Sequence, residues 1–139
     1  MKSRNTPTTE SLNDQFLLAC ENADIKLARE MLAEGADSKA QNNSGESALH
    51  LAVKSGNQKM VNYVLNDLLI STNVRDAFGR TPLHWAAQQG NVPIAEALLL
   101  AHANIEAKDD MGVEAKIYAE MSGHRELVKI FSLVRTSRK

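Results

Sequence analysis

Thr81-Pro82-Leu83-His84-Trp85-Ala86-Ala87-Gln88-Gln89-Gly90-Asn91 is the run whose reading settles the architecture. A hydroxyl residue followed by proline suits a helix start. Thr81 offers an N-cap oxygen, and the N–H that Pro82 lacks would have no intrahelical partner in the first turn. Gly90 suits a left-handed C-cap and Asn91 can cap a second helix at once. Pro93, two residues past Asn91, is compatible only with such a helix start. The run predicts helix, tight turn, helix.

Working outward, the same pattern recurs. Gly45, Gly79 and Gly112 each lead Gly56, Gly90 and Gly123 by eleven residues, and the pairs repeat every 34 and then 33 residues. Ser47-Ala48-Leu49-His50-Leu51-Ala52-Val53-Lys54-Ser55-Gly56-Asn57 is a weaker copy, and Glu114-Ala115-Lys116-Ile117-Tyr118-Ala119-Glu120-Met121-Ser122-Gly123-His124 a degenerate one. Upstream, Phe16-Leu17-Leu18-Ala19-Cys20-Glu21-Asn22-Ala23-Asp24 keeps the helix pattern without the motif. A period near 33 is too long for one helix and too short for a domain, so each unit must hide its apolar face by stacking on its neighbours.

The second helices carry matching apolar groups: Leu27, Ala28, Met31 and Leu32; Met60, Val61, Val64 and Leu65; Ile94, Ala95, Leu98 and Leu99; then Leu127, Val128, Phe131 and, breaking the row, Ser132. Four stripes in register predict one continuous stacked core. Ser132 and Lys116 stand where other modules have leucine, as expected of a terminal unit whose outer side meets water. The connecting runs are rich in Asn, Asp and Gly, which tolerate positive φ and bond their own backbone, so hairpin-like turns are expected there. The 34-residue step places a one-residue insertion near 66–69, and a local irregularity with it.

Thr81 to Ala86 resembles the T-P-L-H-x-A signature of ankyrin repeats. The resemblance runs from about residue 12 to 134 and implies an all-α ankyrin-repeat solenoid of helix-turn-helix units with β-hairpin-like connecting turns. The expected organisation is a flexible tail over 1–11, repeats near 12–42, 43–76, 77–109 and 110–134, and a second tail over 135–139.

Chemistry-bearing residues read more plainly as structural. His50 and His84 share one slot, with Ser47 and Thr81 three residues ahead, so their imidazoles are expected to bond that hydroxyl and the neighbouring turn backbone. Metal ligands must all approach one ion within about 2.0–2.2 Å, whereas equivalent positions in stacked modules lie a whole repeat apart. His102 stands where such repeats place glycine, and His124 at a helix start. Cys20 has no histidine in its module and reads as buried and inert. Asp109 and Asp110 read as an acidic turn tip, solvated or touching a partner. The glycines make no phosphate loop. No catalytic constellation, cofactor or metal site is expected.

Apolar residues make up 43% of the chain and its net charge is −1, so it reads as a globular chain with no electrostatic reason to bind nucleic acid or an anionic membrane. A single cysteine and no apolar signal-like run point to a reducing cytosol, with a nuclear location or translocation into a host cell left open; the free chain is expected to be a monomer. Trp85 shares a helical face with Gln88 and Gln89. It is expected chiefly to pack against the adjacent inner helix, although a tryptophan among glutamines also fits an interface anchor.

The resemblance implies a non-enzymatic module that binds another protein through hairpin tips and the concave face of the first helices. Carried onto this sequence, those surfaces are Asn43, Ser44, Glu46, Lys54 and Ser55; Ala77, Phe78, Arg80, Trp85, Gln88 and Gln89; and Asp110, Met111, Val113, Met121 and Ser122. Phe78, Met111 and Val113 are apolar at positions expected to be exposed. An adaptor or inhibitor is the leading expectation, and a regulatory subunit or host-directed factor that masks an enzyme's active site the alternative. A hydrolase or transferase hidden in the fourth module would instead lose turnover on truncation after Asp110, and a structural spacer would self-associate.

Overall fold

The structure, a computed structural model, describes residues 8–138. Its elements are α1 (Thr9–Glu21), α2 (Ile25–Ala33), α3 (Ala48–Ser55), α4 (Gln58–Asn66), α5 (Pro82–Gln89), α6 (Val92–Leu100), α7 (Ala115–Met121) and α8 (Arg125–Arg138). The helices pair in sequence, and each pair stacks on the next: α1, α3, α5 and α7 form one layer, and α4, α6 and α8 touch in a second. The chain is an all-α solenoid. Of the segments read as tails, residues 1–7 and 139 lie outside the described residues, while α1 reaches back to Thr9 and α8 runs on to Arg138. α1 starts where it does because Thr8 Oγ1 accepts from Ser11 N at 3.1 Å.

Helix starts follow the local chemistry anticipated from sequence. Asp24, Asn57 and Asn91 accept from the backbone N–H of Leu27, Met60 and Ile94 at 3.0, 2.9 and 3.2 Å, which relieves one of the donors a helix N-terminus leaves unpaired. Between the helices of the first pair, where the motif glycine is missing, Ala23 takes the left-handed conformation at φ 58. The same happens after the second helices. Gly35 is followed a repeat later by Leu69 at φ 55 and then by His102 at φ 70. The expected irregularity is real: α4 ends at Asn66, three residues before its left-handed Leu69, whereas α2 and α6 end two residues before Gly35 and His102.

The stripes meet in one core that joins Phe16, Leu49, Met60, Leu83, Ile94, Leu98, Leu127 and Phe131, each essentially inaccessible. Its members are aliphatic, small or sulfur-bearing for the most part, so the two helical layers stay thin.

Each linker closes as a hairpin of only a few bonds. Asn42, Asp76 and Asp109 donate through their N–H to the carbonyls of Glu46, Arg80 and Val113 at 3.0, 2.9 and 2.9 Å. Their side-chain Oδ1 atoms meanwhile accept from the backbone N–H two and four residues on, at 2.9 to 3.0 Å. Successive hairpins then join edge to edge, Ala77 N to Ser44 O at 2.9 Å and Asp110 N to Phe78 O at 3.0 Å. This corrects the reading of Asp109 as a solvated tip residue. It is 9% exposed and organises its turn, while Asp110 alone points outward.

Candidate protein-binding surface

The histidines fix the frame on which the surface stands. His50 Nδ1 accepts from Ser47 N at 3.1 Å and its Nε2 reaches Arg80 O at 2.7 Å. His84 does the same one module on, with Thr81 N at 3.0 Å and Val113 O at 2.9 Å. A carbonyl can only accept, so Nε2 carries the proton and each ring is neutral. Burial, partly offset by the bond to the carbonyl, holds both histidines below their ordinary pKa. Each is thus a strut from one inner helix to the next hairpin, as expected. His124 adds a strut not foreseen, its Nε2 on Gln88 O at 2.9 Å. Ile117 occupies the same slot in the fourth module and has no such donor to offer.

On this frame the anticipated surface residues separate into three groups. Asn43, Ser44, Lys54, Ala77, Phe78, Gln88, Gln89, Asp110, Met111, Met121 and Ser122 are exposed. Ser55, Arg80, Trp85 and Val113 are half-buried, which corrects the expectation that Val113 is exposed; its N–H and carbonyl are both engaged, by Asp109 and His84. Glu46 is 6% exposed and does not belong to the surface. Its carboxylate accepts from Asn42 Nδ2 at 2.9 Å and from Lys54 Nζ at 2.7 Å. Burial raises the pKa of Glu46, but those bonds and the Lys54 charge outweigh it and leave the carboxyl below its ordinary value.

The structure brings Lys54, Phe78, Arg80 and Trp85 together. Two cations lie over the Trp85 ring, Lys54 Nζ 4.6 Å and Arg80 Cζ 4.4 Å from its centroid, and Arg80 also lies 4.9 Å from the Phe78 ring. Such contacts are worth about 0.5–2 kcal/mol each, depending on desolvation. Arg80 is anchored from below by Asp76, Nε to Oδ2 at 2.9 Å. Burial pushes the Asp76 carboxyl up, yet the backbone N–H groups of Arg80 and Phe78 and the guanidinium more than reverse this and hold it below the usual range. Trp85 therefore packs through cation stacking as well as against neighbouring helices; its Nε1 is buried without a hydrogen-bond partner.

Next to this cluster lies an open groove of about 440 Å³ lined by Gln88, Asp109, Met111, Val113, Tyr118, Met121 and Ser122. From the sequence Asp109 reads as a solvated turn-tip residue rather than part of a groove, and Tyr118 is not singled out. A signal existed: Tyr118 stands 33 residues after Trp85, in the same helical slot, and Asp109 closes the column Asn42, Asp76, Asp109, each three residues before a motif glycine. Tyr118 donates its hydroxyl to Asp109 Oδ2 and meets His84 edge to face at 4.9 Å. Burial and then the Asp109 bond push the phenol up to about 12.

Among the described residues no His, Cys, Asp and Glu group could hold a metal ion, and burial pushes the Cys20 thiol up to about 12, far from a nucleophilic thiolate. Among the same residues no helix is long and apolar enough to cross a membrane.

Comparison with known proteins accords with this geometry. The family described as ankyrin repeats (3 copies) matches residues 16–109 and 66–133. The chain is similar to the ankyrin repeat protein nuc-2 of Neurospora crassa, 29% identical over 94% of this chain and 12% of that protein. It is similar to an ankyrin repeat protein of Rickettsia bellii, 24% identical over 94% of this chain and 74% of that one. It also resembles the palmitoyltransferase AKR1 of Lachancea kluyveri, 32% identical over 71% of this chain. The chain spans only 14% of AKR1 and 12% of nuc-2, so the likeness is to their repeats.

Proposed function

Because this chain belongs to the ankyrin repeat family, we propose that it is a non-enzymatic adaptor or inhibitor that binds one partner protein through its hairpin tips and the concave face of its inner helices. One observation carries the reading. Phe78, Met111 and Met121 are 61%, 86% and 81% exposed; Phe78 lies against Arg80 of the Lys54–Arg80–Trp85 cluster, and Met111 and Met121 line one groove with Gln88, which follows Trp85 by one turn of the same helix. Large apolar side chains gathered beside a rigid polar frame are what a partner covers, since leaving them in water gains nothing for the fold. The frame is fixed by struts and buried carboxylates, so little side-chain ordering remains for association to bear.

The experiment is affinity capture from the native source with the wild type and with the Phe78→Ala, Arg80→Ala double variant. A partner retained by the first and lost by the second is the expected result. Equal retention would reject this surface, and turnover by the isolated chain would reject a non-enzymatic role.

A further inference from the structure

The two halves of the surface differ in chemistry. On the Trp85 side the carboxylates lie beneath the cations: the side chains of Glu46 and Asp76 are 8% and 0% exposed, those of Lys54 and Arg80 33% and 23%. An approaching partner meets the cations first. Arg80 uses its Nε on Asp76, and its terminal amino groups make no hydrogen bond among the described residues. Stacking on Trp85 and Phe78 holds that planar fork in place, the geometry suited to a carboxylate. Asp110 is an exposed carboxylate beside Gly79, so the acid-accepting patch is confined to the Lys54, Arg80 and Trp85 side.

The groove side is mainly apolar, and its one charged lining group, Asp109, is taken up by Tyr118 and its own turn. Met111 on the hairpin and Met121 at the end of α7 both line it, together with Val113 and Tyr118. Methionine is unbranched and polarizable, and it adapts to apolar groups of different shape. Trp85 and Tyr118 hold equivalent slots on adjacent stacked helices, whose axes are roughly 8–10 Å apart. An extended peptide covers that distance in about three residues at ~3.3 Å each.

We infer that this face takes a short linear segment of a partner protein carrying a carboxylate and a bulky apolar side chain about three residues apart. The carboxylate pairs with Arg80, with Lys54 beside it, and the apolar group enters the groove lined by Met111 and Met121. The inference rests on the protein-binding reading above and adds the chemistry of the partner.

Random short peptides displayed on phage and selected on the whole chain test it. Enriched sequences are expected to hold Asp or Glu about three positions from Leu, Phe or Met. A labelled synthetic copy of one should bind the Arg80→Gln variant at least about tenfold more weakly, with steep salt dependence in the wild type alone. Arg80 also braces its hairpin, so folding of that variant is checked by circular dichroism. Met121→Glu, at a position outside the core, supplies a second arm and should weaken binding about fivefold. The inference is overturned if no peptide is enriched, if enriched peptides lack a carboxylate, if Arg80→Gln and Met121→Glu both bind normally, or if a single-stranded oligonucleotide competes through Arg80 as well as the peptide does. Peptides without a carboxylate that are still lost on Trp85→Ala would leave the protein-binding reading standing, whereas failure of the capture experiment removes that reading itself.

Discussion

Single residues carry unequal weight in this chain, and the two histidine struts show why. His50 and His84 are neutral and buried, and their folded pKa lies below the unfolded value of about 6.5. Below that pH the unfolded chain binds more protons than the folded one. The struts' contribution is therefore complete above about pH 6.5 and is lost as pH falls toward their folded values. Thermal melting should occur at lower temperature at about pH 5.5 than at about pH 7.5, and a His50→Gln, His84→Gln double variant should show a smaller drop between the two. A wild-type melting point unchanged over that window would contradict the neutral-strut assignment. Asp76 offers a second case. Its side chain is wholly inaccessible and accepts from Phe78 N, Arg80 N and Arg80 Nε. Asp76→Ala should cost about 2–4 kcal/mol in urea unfolding, since it leaves three donors without their acceptor. Leu69 is the converse: it is 77% exposed and strained at φ 55. Leu69→Gly should stabilise the protein by about 0.5–1 kcal/mol in the same assay.

Among elements, the hairpins are shaped by what lies beside them more than by their own sequence. Gly79 and Gly112 have nearly the same φ, 77 and 81. A Cβ on Gly79 would come within 2.8 Å of Asp110 N in the next hairpin, whereas one on Gly112 would meet nothing within 4 Å. Both alanine variants bear the cost of positive φ, but only Gly79→Ala also pushes two hairpins apart. Its unfolding free energy should fall below that of Gly112→Ala by at least about 1 kcal/mol; equal values would mean that the hairpin contact adds nothing. The helices were far easier to read from sequence. Caps at Asp24, Asn57 and Asn91 act on backbone three residues away, and the stripes of α4 and α6 are periodic within one helix, so no distant contact was needed to locate them. Glu46, Val113 and Asp109 were misread as surface because their burial depends on Lys54, His84 and Tyr118, which nothing in their own hairpin announces.

At the scale of the molecule, stability is a chain of neighbour contacts and the modules are not equal. The first buries Phe16, Leu17, Ala19 and Cys20 along a long α1, while α7 is the shortest helix and buries only Ala115 and Ala119. The fourth module has Ile117 in the slot of His50 and His84, so no imidazole ties α7 onward to a next hairpin, and Lys116 replaces a core leucine. Hydrogen exchange should show protection lowest in α7 and α8 and rising toward α3 and α5; uniform protection across all modules would contradict this. The sequence alone determined the repeat, the pairing of helices and the hairpins that join them, because a period of 33 or 34 residues and its caps act over a few turns of chain. Tertiary structure alone decided which tip residues are exposed, that Lys54 and Arg80 both lie over the Trp85 ring, and that Tyr118 and Asp109 line a groove. Those outcomes depend on side chains brought together from hairpins and inner helices by stacking, and no local pattern records which of two equivalent slots will be covered by the next module.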